Sequence, residues 1–413
     1  MNCKIATIFF VFLTSIGTAQ NKDIDYFINQ GLQNSPLLKD YQLQIQTNAI
    51  DSQRLRVSYL PQVNAGTAAA YAPVIKGWGY DGAITNLHTF NALMTVSQSI
   101  IGKDNINNQY RTLQLQNLGL QNQGKISEQD LKRSIVQQYI AVYGDLEQIR
   151  FNTELMDLLK EEESILKKLA EKGVYKQTDF LSFMVSIQQQ ELVIKQLHQQ
   201  YQNNFSTLNY ICGLSDTAYT ILPAPQLLTD GLPPLEQTVF FQQYQLDSLK
   251  IKNTDQQIDF NYQPKINVYA DGGYYSSFLI TPYKNFGLSA GISLVVPIYD
   301  GNQKKMLHQK NTIAEQNRQN YLNFFSKQYK QQIAQLQQQL VLAEQLIQQA
   351  TIQTKYAEGL IKAQRKQLVT GDVTITEYII AIGNYLNAKN IITQNTINKL
   401  QLINQINYWN RKQ

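Results

Sequence analysis

Residues 333–361 read IAQLQQQLVLAEQLIQQATIQTKYAEGLI. Within them Ile333, Leu336, Leu340, Ala343, Ile347, Ala350, Thr354, Ala357 and Ile361 step strictly by 3 and 4. This is a heptad seam, narrow and partly filled by small residues, as close-packed helices require. The remaining faces are rich in Gln and Asn, with few charges. No proline follows Pro297, and helix interiors expel proline, so the pattern predicts one helix over about 303–370. Upstream, Leu131, Ile135, Tyr139, Val142, Leu146 and Ile149 step by 4, 4, 3, 4 and 3, in a proline-free run from Val74 to Leu222. A second helix is predicted over about 104–172. Each would be roughly 100 Å long at 1.5 Å per residue. Helices of that length need neighbours along their whole extent, not one small core.

The two halves of the chain repeat one another. Tyr59-Leu60-Pro61-Gln62-Val63-Asn64 corresponds to Tyr262-Gln263-Pro264-Lys265-Ile266-Asn267 at an offset of 203. Gly173, Thr178, Asp179 and Phe180 correspond to Gly371, Thr376, Glu377 and Tyr378 at an offset of 198. Between these anchors, Ser99-Ile100-Ile101-Gly102 falls opposite Pro297-Ile298-Tyr299-Asp300-Gly301. A repeat this long marks a duplicated unit and not a short-period solenoid. The expected organisation is a signal peptide at 1–19 and a first repeat at 20–222, containing a helix, two strands, a long helix, a turn and a return helix. A Pro-rich linker at 223–235 leads into a second repeat at 236–413.

Paired strands are predicted before each long helix. Phe286, Leu288, Ala290, Ile292, Leu294 and Val296 share one face of the clearest, with Gly287, Ser289, Gly291, Ser293 and Val295 on the other. Ile266, Val268 and Ala270 alternate likewise with Asn267, Tyr269 and Asp271. Large apolar residues on one face and small or polar ones on the other fit a lipid-facing barrel strand, and also a half-buried soluble sheet. Aromatics near the strand ends (Tyr71, Trp78, Tyr80, Phe90, Tyr274, Tyr275, Phe278, Tyr283, Phe286) favour a membrane girdle. In hydrocarbon an open sheet edge leaves backbone groups unpaired, so four strands per chain would have to be pooled between copies.

Lys4, the apolar run from Ile5 to Leu13, and Gly17-Thr18-Ala19 form an export signal, too short in its apolar part to span a bilayer as a mature helix. Removing it takes away Lys4 and no acid, so the formal charge falls from +5 to +4. That diffuse excess gives no reason to invoke nucleic acid. Only Cys212 remains, so no intramolecular disulfide forms. His88, His198 and His308 are scattered, and neither metal nor cofactor spacing is present. No phosphate-binding glycine loop occurs, so energy for transport would come from a partner. Gly287-Leu288-Ser289-Ala290-Gly291 spells the G-x-S-x-G of hydrolases, but Ser289 lies within a continuing strand and not at a sharp turn, so no catalytic residue is assigned. Glu161-Glu162-Glu163 precedes Lys167-Lys168 at the spacing of solvated i,i+4 pairs, with partner docking as the alternative.

Asn34-Ser35-Pro36, Ser58-Tyr59-Leu60-Pro61, Val296-Pro297-Ile298-Tyr299-Asp300-Gly301 and the stretch from Ser206 to Gly213 join two matching helix reversals, Gly173-x4-Thr178-Asp179 and Gly371-x4-Thr376-Glu377. In these elements, and in their duplicated order over residues 23–408, the chain resembles the TolC family of outer-membrane efflux proteins. The resemblance implies an α+β membrane protein, with a long α-helical coiled-coil barrel continuous with a transmembrane β-barrel. Each chain would give four strands, and the barrel would close only in a trimer. It further implies a passive exit duct in the outer membrane of a Gram-negative bacterium, extending into the periplasm. Partners would be two further copies, a periplasmic membrane-fusion adaptor and, through it, an inner-membrane pump of RND or ABC type. By the same resemblance Gly173, Val174, Tyr175, Lys176, Gly371, Asp372, Val373 and Thr374 would contact the adaptor at the periplasmic tip. Asp179 and Glu377 would ring the entrance. A further acid often found one turn past Glu377 is replaced by Ile380, and a basic residue two after the glycine is Val373, so the closed gate would be built differently. The competing possibility is a coiled-coil scaffold that conducts nothing.

At each reversal the glycine reads as the helix stop. Thr178 and Thr376 read as caps of the following helices, with Asp179 and Glu377 in their first turns.

Overall fold

The computed structural model of the chain describes residues 22–81, 88–216, 219–229, 234–277 and 282–409. The signal peptide at 1–19 and the aromatic Phe278 lie outside the described residues. In chain order the elements are α1 (Ile24–Asn34), α2 (Pro36–Ser58), β1 (Gln62–Tyr71), β2 (His88–Ile100), α3 (Lys103–Glu171), α4 (Gln177–Ile211), α5 (Val239–Asn261), β3 (Lys265–Ser276), β4 (Phe286–Val295), α6 (Gln303–Thr370) and α7 (Ile375–Trp409). The helix that opens the chain comes in two pieces. Pro36 holds the preceding Ser35 in an extended conformation, where α1 stops.

The two long helices run 69 and 68 residues and lie within one residue of the spans their periodicity predicts. Along α6, seam positions Ile333, Leu336, Ala343, Ala350, Thr354, Ala357 and Ile361 are buried, while most residues between them are exposed. Straight-chain Gln, Leu, Lys and Glu lose little rotamer freedom in a helix, so the exposed faces remain helical without packing of their own.

The chain forms two compact units, each drawing on both sequence repeats. Of the described residues, those within Met1–Ser35, Gln129–Asp230 and Gln335–Tyr408 build one, and those within Pro36–Glu128, Gly231–Ala334 and Trp409–Gln413 the other. The first unit holds two apolar clusters. In one, Phe27, Ile135, Tyr139, Val142, Phe205, Leu208 and Cys212 pack together. The Tyr139 and Tyr201 hydroxyls donate to the carbonyls of Pro223 (2.8 Å) and Thr220 (2.7 Å), which pins the proline-rich stretch after α4. In the other, Leu155, Leu159 and Leu166 of α3 meet Phe183 and Ile187 of α4, Ile361 and Leu368 of α6, and Ile375 and Tyr378 of α7.

The second unit carries the sheet. Its order is β1-β2-β3-β4 with every neighbour antiparallel, so the hairpin of one repeat pairs with the hairpin of the other through β2 and β3. The sheet does not close on itself: among the described residues the outer sides of β1 and β4 have no strand partner. Nearby, α3 and α5 are locked by reciprocal amides. Asn108 donates to the Asn253 carbonyl (3.2 Å), and Asn253 donates to the Asn108 carbonyl (3.3 Å) and to Thr112 Oγ1 (2.7 Å). Buried amides that bond across two helices fix helix register more sharply than apolar contacts do.

Candidate functional site

Two places in the molecule carry features beyond packing, namely the paired helix reversals in the first unit and the two-faced sheet in the second. Both reversals are built alike. Gly173 has φ +74° and Gly371 φ +82°, a left-handed conformation that costs a side-chain-bearing residue but not glycine. Val174 N–H bonds to the Leu169 carbonyl (3.0 Å) and Gly173 N–H to that of Ala170 (3.0 Å). Asp372 N–H bonds to Gln367 (3.0 Å) and Gly371 N–H to Leu368 (3.4 Å) in the same pattern. This double closure satisfies carbonyls that a helix end otherwise leaves orphaned.

The caps of the following helices fall two residues earlier than the sequence suggests. The N-cap of α4 is Lys176, which makes no side-chain cap bond, so Thr178 lies inside the helix. At α7 the cap is Thr374 and not Thr376. Glu377 N–H donates to Thr374 Oγ1 (3.2 Å), and Glu377 Oε2 accepts from Thr374 N–H (2.8 Å) and from its hydroxyl (2.9 Å). This is a reciprocal capping box, and Thr374-x-x-Glu377 is its sequence signature. The bonds from Thr374 hold the Glu377 carboxyl below its ordinary range. Asp179 and Glu377 do stand in the first turns of their helices, each favourable to the helix dipole.

The two reversals touch. The Tyr175 hydroxyl lies 2.7 Å from both the Leu368 and the Val373 carbonyl oxygens, so its one proton is shared between the carbonyl at the end of α6 and the one just before α7. Burial and the neighbouring Asp372 raise its pKa. Gly173, Val174, Lys176, Gly371, Asp372 and Thr374 are exposed around this joint, and Val373 is half-buried.

Beneath the joint lies a charged contact that the run of three glutamates hides. Glu162 is 1% exposed, and its Oε1 sits 2.5 Å from Nε of Arg365, whose other arm lies 3.3 Å from Glu161. The expected pairing of these acids with Lys167 and Lys168 does not occur among the described residues; the partner is on the other long helix. Burial raises the Glu162 carboxyl, opposed by the Arg365 charge, and fully buried Tyr378 packs beside it. The signal for Glu162 was its phase, since Leu155, Leu159, Glu162 and Leu166 step 4, 3, 4 along the buried seam.

The sheet's register sorts its residues cleanly. Val96, Met94 and Phe90 of β2 pair with Ala270, Gly272 and Ser276 of β3, and Ile292, Leu294 and Leu288 of β4 lie on the same face opposite Val268, Ile266 and Gly272. Leu288 is 92% exposed and Ile292 76%. The other face carries Asn64, Thr95, Asp271 and Ser289 in one rung and Ser99, Asn267 and Ser293 in another. Ser289 donates to Asp271 in mid-strand with no histidine at hand, so the G-x-S-x-G stretch is not a nucleophile turn. His308 lies away from any catalytic grouping, with Nδ1 2.8 Å from Asp255 and Nε2 3.3 Å from Asp259. Among the described residues no group of three metal-binding side chains assembles, and no helix is long and apolar enough to cross a membrane.

Comparison with protein-family models and with curated proteins finds no match to the sequence. Solved structures do match. CusC, described for the conformational changes that accompany its folding and transmembrane channel formation, superposes with a TM-score of 0.73 at 14% identity, covering 94% of this chain and 92% of its own. The outer membrane protein VceC of Vibrio cholerae gives 0.78 at 12% identity, covering 94% and 96%. The open-state MtrE outer membrane channel of Neisseria gonorrhoeae gives 0.74 at 10% identity, covering 94% and 88%. With nearly its whole length aligned, the chain has the fold of the TolC-like outer-membrane channels.

Proposed function

We propose that the chain is one protomer of a homotrimeric outer-membrane channel that passively conducts export cargo from a periplasm-spanning pump complex to the outside of a Gram-negative cell. The observation that carries this reading is the open sheet, in which large aliphatics on one face stand 62–92% exposed on β4 and, among the described residues, the outer edges of β1 and β4 have no strand partner. A water-soluble fold does not leave such a face and two such edges bare together. Three copies would pool twelve strands, satisfy every edge and turn the aliphatic face to lipid. The fold of the outer-membrane channels supports the same reading. Gly173, Val174, Tyr175, Lys176, Gly371, Asp372, Val373 and Thr374 are then the surface offered to a membrane-fusion adaptor, with an RND or ABC pump behind it. Asp179 and Glu377 would line the mouth.

Purification in detergent tests the assembly. Native mass measurement should give a trimer, and planar bilayers should record discrete conductance steps; a stable, well-folded monomer would sink the proposal. Within a conducting trimer, Glu377→Gln should keep the helix start and lower cation preference at the mouth. Unchanged selectivity in both Glu377→Gln and Asp179→Asn would leave these acids as helix-start residues only.

A further inference from the structure

Strands of this sheet are almost free of charge. Apart from His88, their only ionisable side chains of the acid and base types are Lys265, at the first residue of β3, and Asp271, in its middle. Aspartate is depleted in strands, because a carboxylate fits a pleated, half-buried surface poorly. Here it is held from both sides. Thr95 on β2 donates to Oδ1 at 2.5 Å, and Ser289 on β4 donates to Oδ2 at 3.3 Å. The register sets Asn64, Thr95, Asp271 and Ser289 in one rung across all four strands.

The surroundings of this rung are cleared by glycine. Gly66, paired with Leu93, and Gly287, paired with Gly273, stand on the same face in the next rung of that face. A Cβ built at Gly66 or at Gly287 would meet nothing within 4 Å. Leu93, Asp271, Tyr275, Asn285 and Ser289, with Phe286 and Leu288 at the outer edge of β4, line a depression of about 270 Å³ there. On the other side of the rung the Tyr269 ring covers Gly291. The carboxylate therefore stands at an open step with an aromatic and an aliphatic wall. Lys265 is six residues along the strand, roughly 20 Å away at about 3.3 Å per residue. That exceeds the Debye length of about 8 Å at physiological salt, so it does not cancel the charge.

We infer that Asp271 is a charge-selecting residue of the conduit, favouring inorganic cations and small organic ammonium ions over anions as they pass the sheet. The inference rests on the channel reading, in which the polar face lines the lumen. Three copies of the rung would then place three carboxylates around one bore, where low-dielectric walls focus their field. Rings of acidic side chains select cations in this way. The hydroxyls of Thr95 and Ser289 position the carboxylate and leave the side towards the depression open to a passing ion.

Bilayer recordings under a KCl gradient test this. The wild-type pore should be cation-preferring, and Asp271→Asn should lower the cation-to-anion permeability ratio by about twofold or more. Adding Ser289→Asp to Asp271→Asn should restore the preference, because it returns a carboxylate to the same rung on the adjacent strand. A purely structural Asp271 would not be rescued in selectivity this way. Ser289→Lys, which leaves Asp271 in place, should lower the ratio independently and covers the case in which Asp271→Asn fails to assemble. Conducting Asp271→Asn or Ser289→Lys pores with wild-type reversal potentials overturn the inference and leave the channel reading standing. A wild-type trimer that forms no pore overturns both.

Discussion

Removing the Arg365 side-chain charge should loosen the helix reversals far more than removing the Glu162 charge it faces. In Arg365→Met the Glu162 carboxylate stays 1% exposed and loses the guanidinium 2.5 Å away. Stranding a fully buried charge costs about 3–5 kcal/mol. Arg365 itself is 43% exposed, so water can take part of its place, and the figure falls to about 2 kcal/mol. In Glu162→Gln the orphan is instead the half-exposed guanidinium, which keeps water and Glu161, and the cost should stay under about 1 kcal/mol. The sign of the pH dependence follows from burial, which raises the Glu162 carboxyl above its ordinary 4.5. A raised carboxyl costs the folded state stability above its folded pKa, and that cost disappears as the pH falls below the unfolded value. The Arg365→Met deficit should therefore be full near neutrality and shrink towards about pH 4. Hydrogen exchange of the backbone amides at 169–176 and 367–378 reads this locally, without requiring the whole assembly to unfold. After correction for intrinsic rates, Arg365→Met should exchange about 30-fold faster than wild type near neutral pH, at about 1.4 kcal/mol per tenfold, and Glu162→Gln less than about fivefold. Equal acceleration in the two variants, or an Arg365→Met effect that does not shrink in acid, would refute the reasoning.

Further measurements separate the remaining assignments. Thr374→Ala should destabilise the start of α7 by about 1 kcal/mol and Thr376→Ala by only a few tenths, read as exchange at residues 375–379. His308 is raised by Asp255 first and by Asp259, so its bonds to α5 contribute fully below pH 6.5 and fade as the pH rises through its higher folded value. Thermal midpoints of wild type and His308→Gln should accordingly differ at low pH and converge at high pH. Ile292→Arg, on the aliphatic face of β4, should cost about 2–4 kcal/mol of assembly in lipid and Ser293→Arg far less, so equal loss of heat-stable trimer would overturn the face assignment.

What the sequence disclosed, and what it hid, follows from how far each signal reaches. The α6 seam was legible because a single partner face imposes one period over nine positions, and burial repeats it at Ile333, Leu336, Ala343, Ala350, Ala357 and Ile361. Gly173 and Gly371 were legible because a left-handed residue is a local demand that glycine meets alone. The faces of β3 and β4 could be read from alternation, whereas β1, with its Ala68-Ala69-Ala70 run, has too little contrast between its faces and is sorted only by its register with β2. Glu162 is hidden because three consecutive acids read as a solvated face, although its phase with Leu159 and Leu166 sets it on the seam. The Tyr175 bridge could not be read at all. It joins carbonyls almost 200 residues away, and no local pattern encodes a contact between two separate turns.

The Thr374–Glu377 capping box bears directly on the proposed mouth. Glu377 accepts both Thr374 bonds through one oxygen, Oε2, so the box leaves Oε1 unengaged by Thr374 in an exposed side chain. A carboxylate used this way can hold its helix start and still present charge to passing ions, so the two roles do not compete for the same lone pairs. Asp179 lacks even that commitment, since the α4 cap makes no side-chain bond. The difference explains why the isosteric amide is the informative replacement at 377. Glutamine keeps an oxygen that can accept from Thr374 N–H and removes only the charge, whereas alanine would remove charge and cap together. It also separates Glu377 from Asp271, whose two oxygens are each held by a hydroxyl of a neighbouring strand. One acid is anchored by the helix it starts and the other by the sheet it sits in, so the proposed charge preferences at the mouth and in the sheet should be removable one at a time.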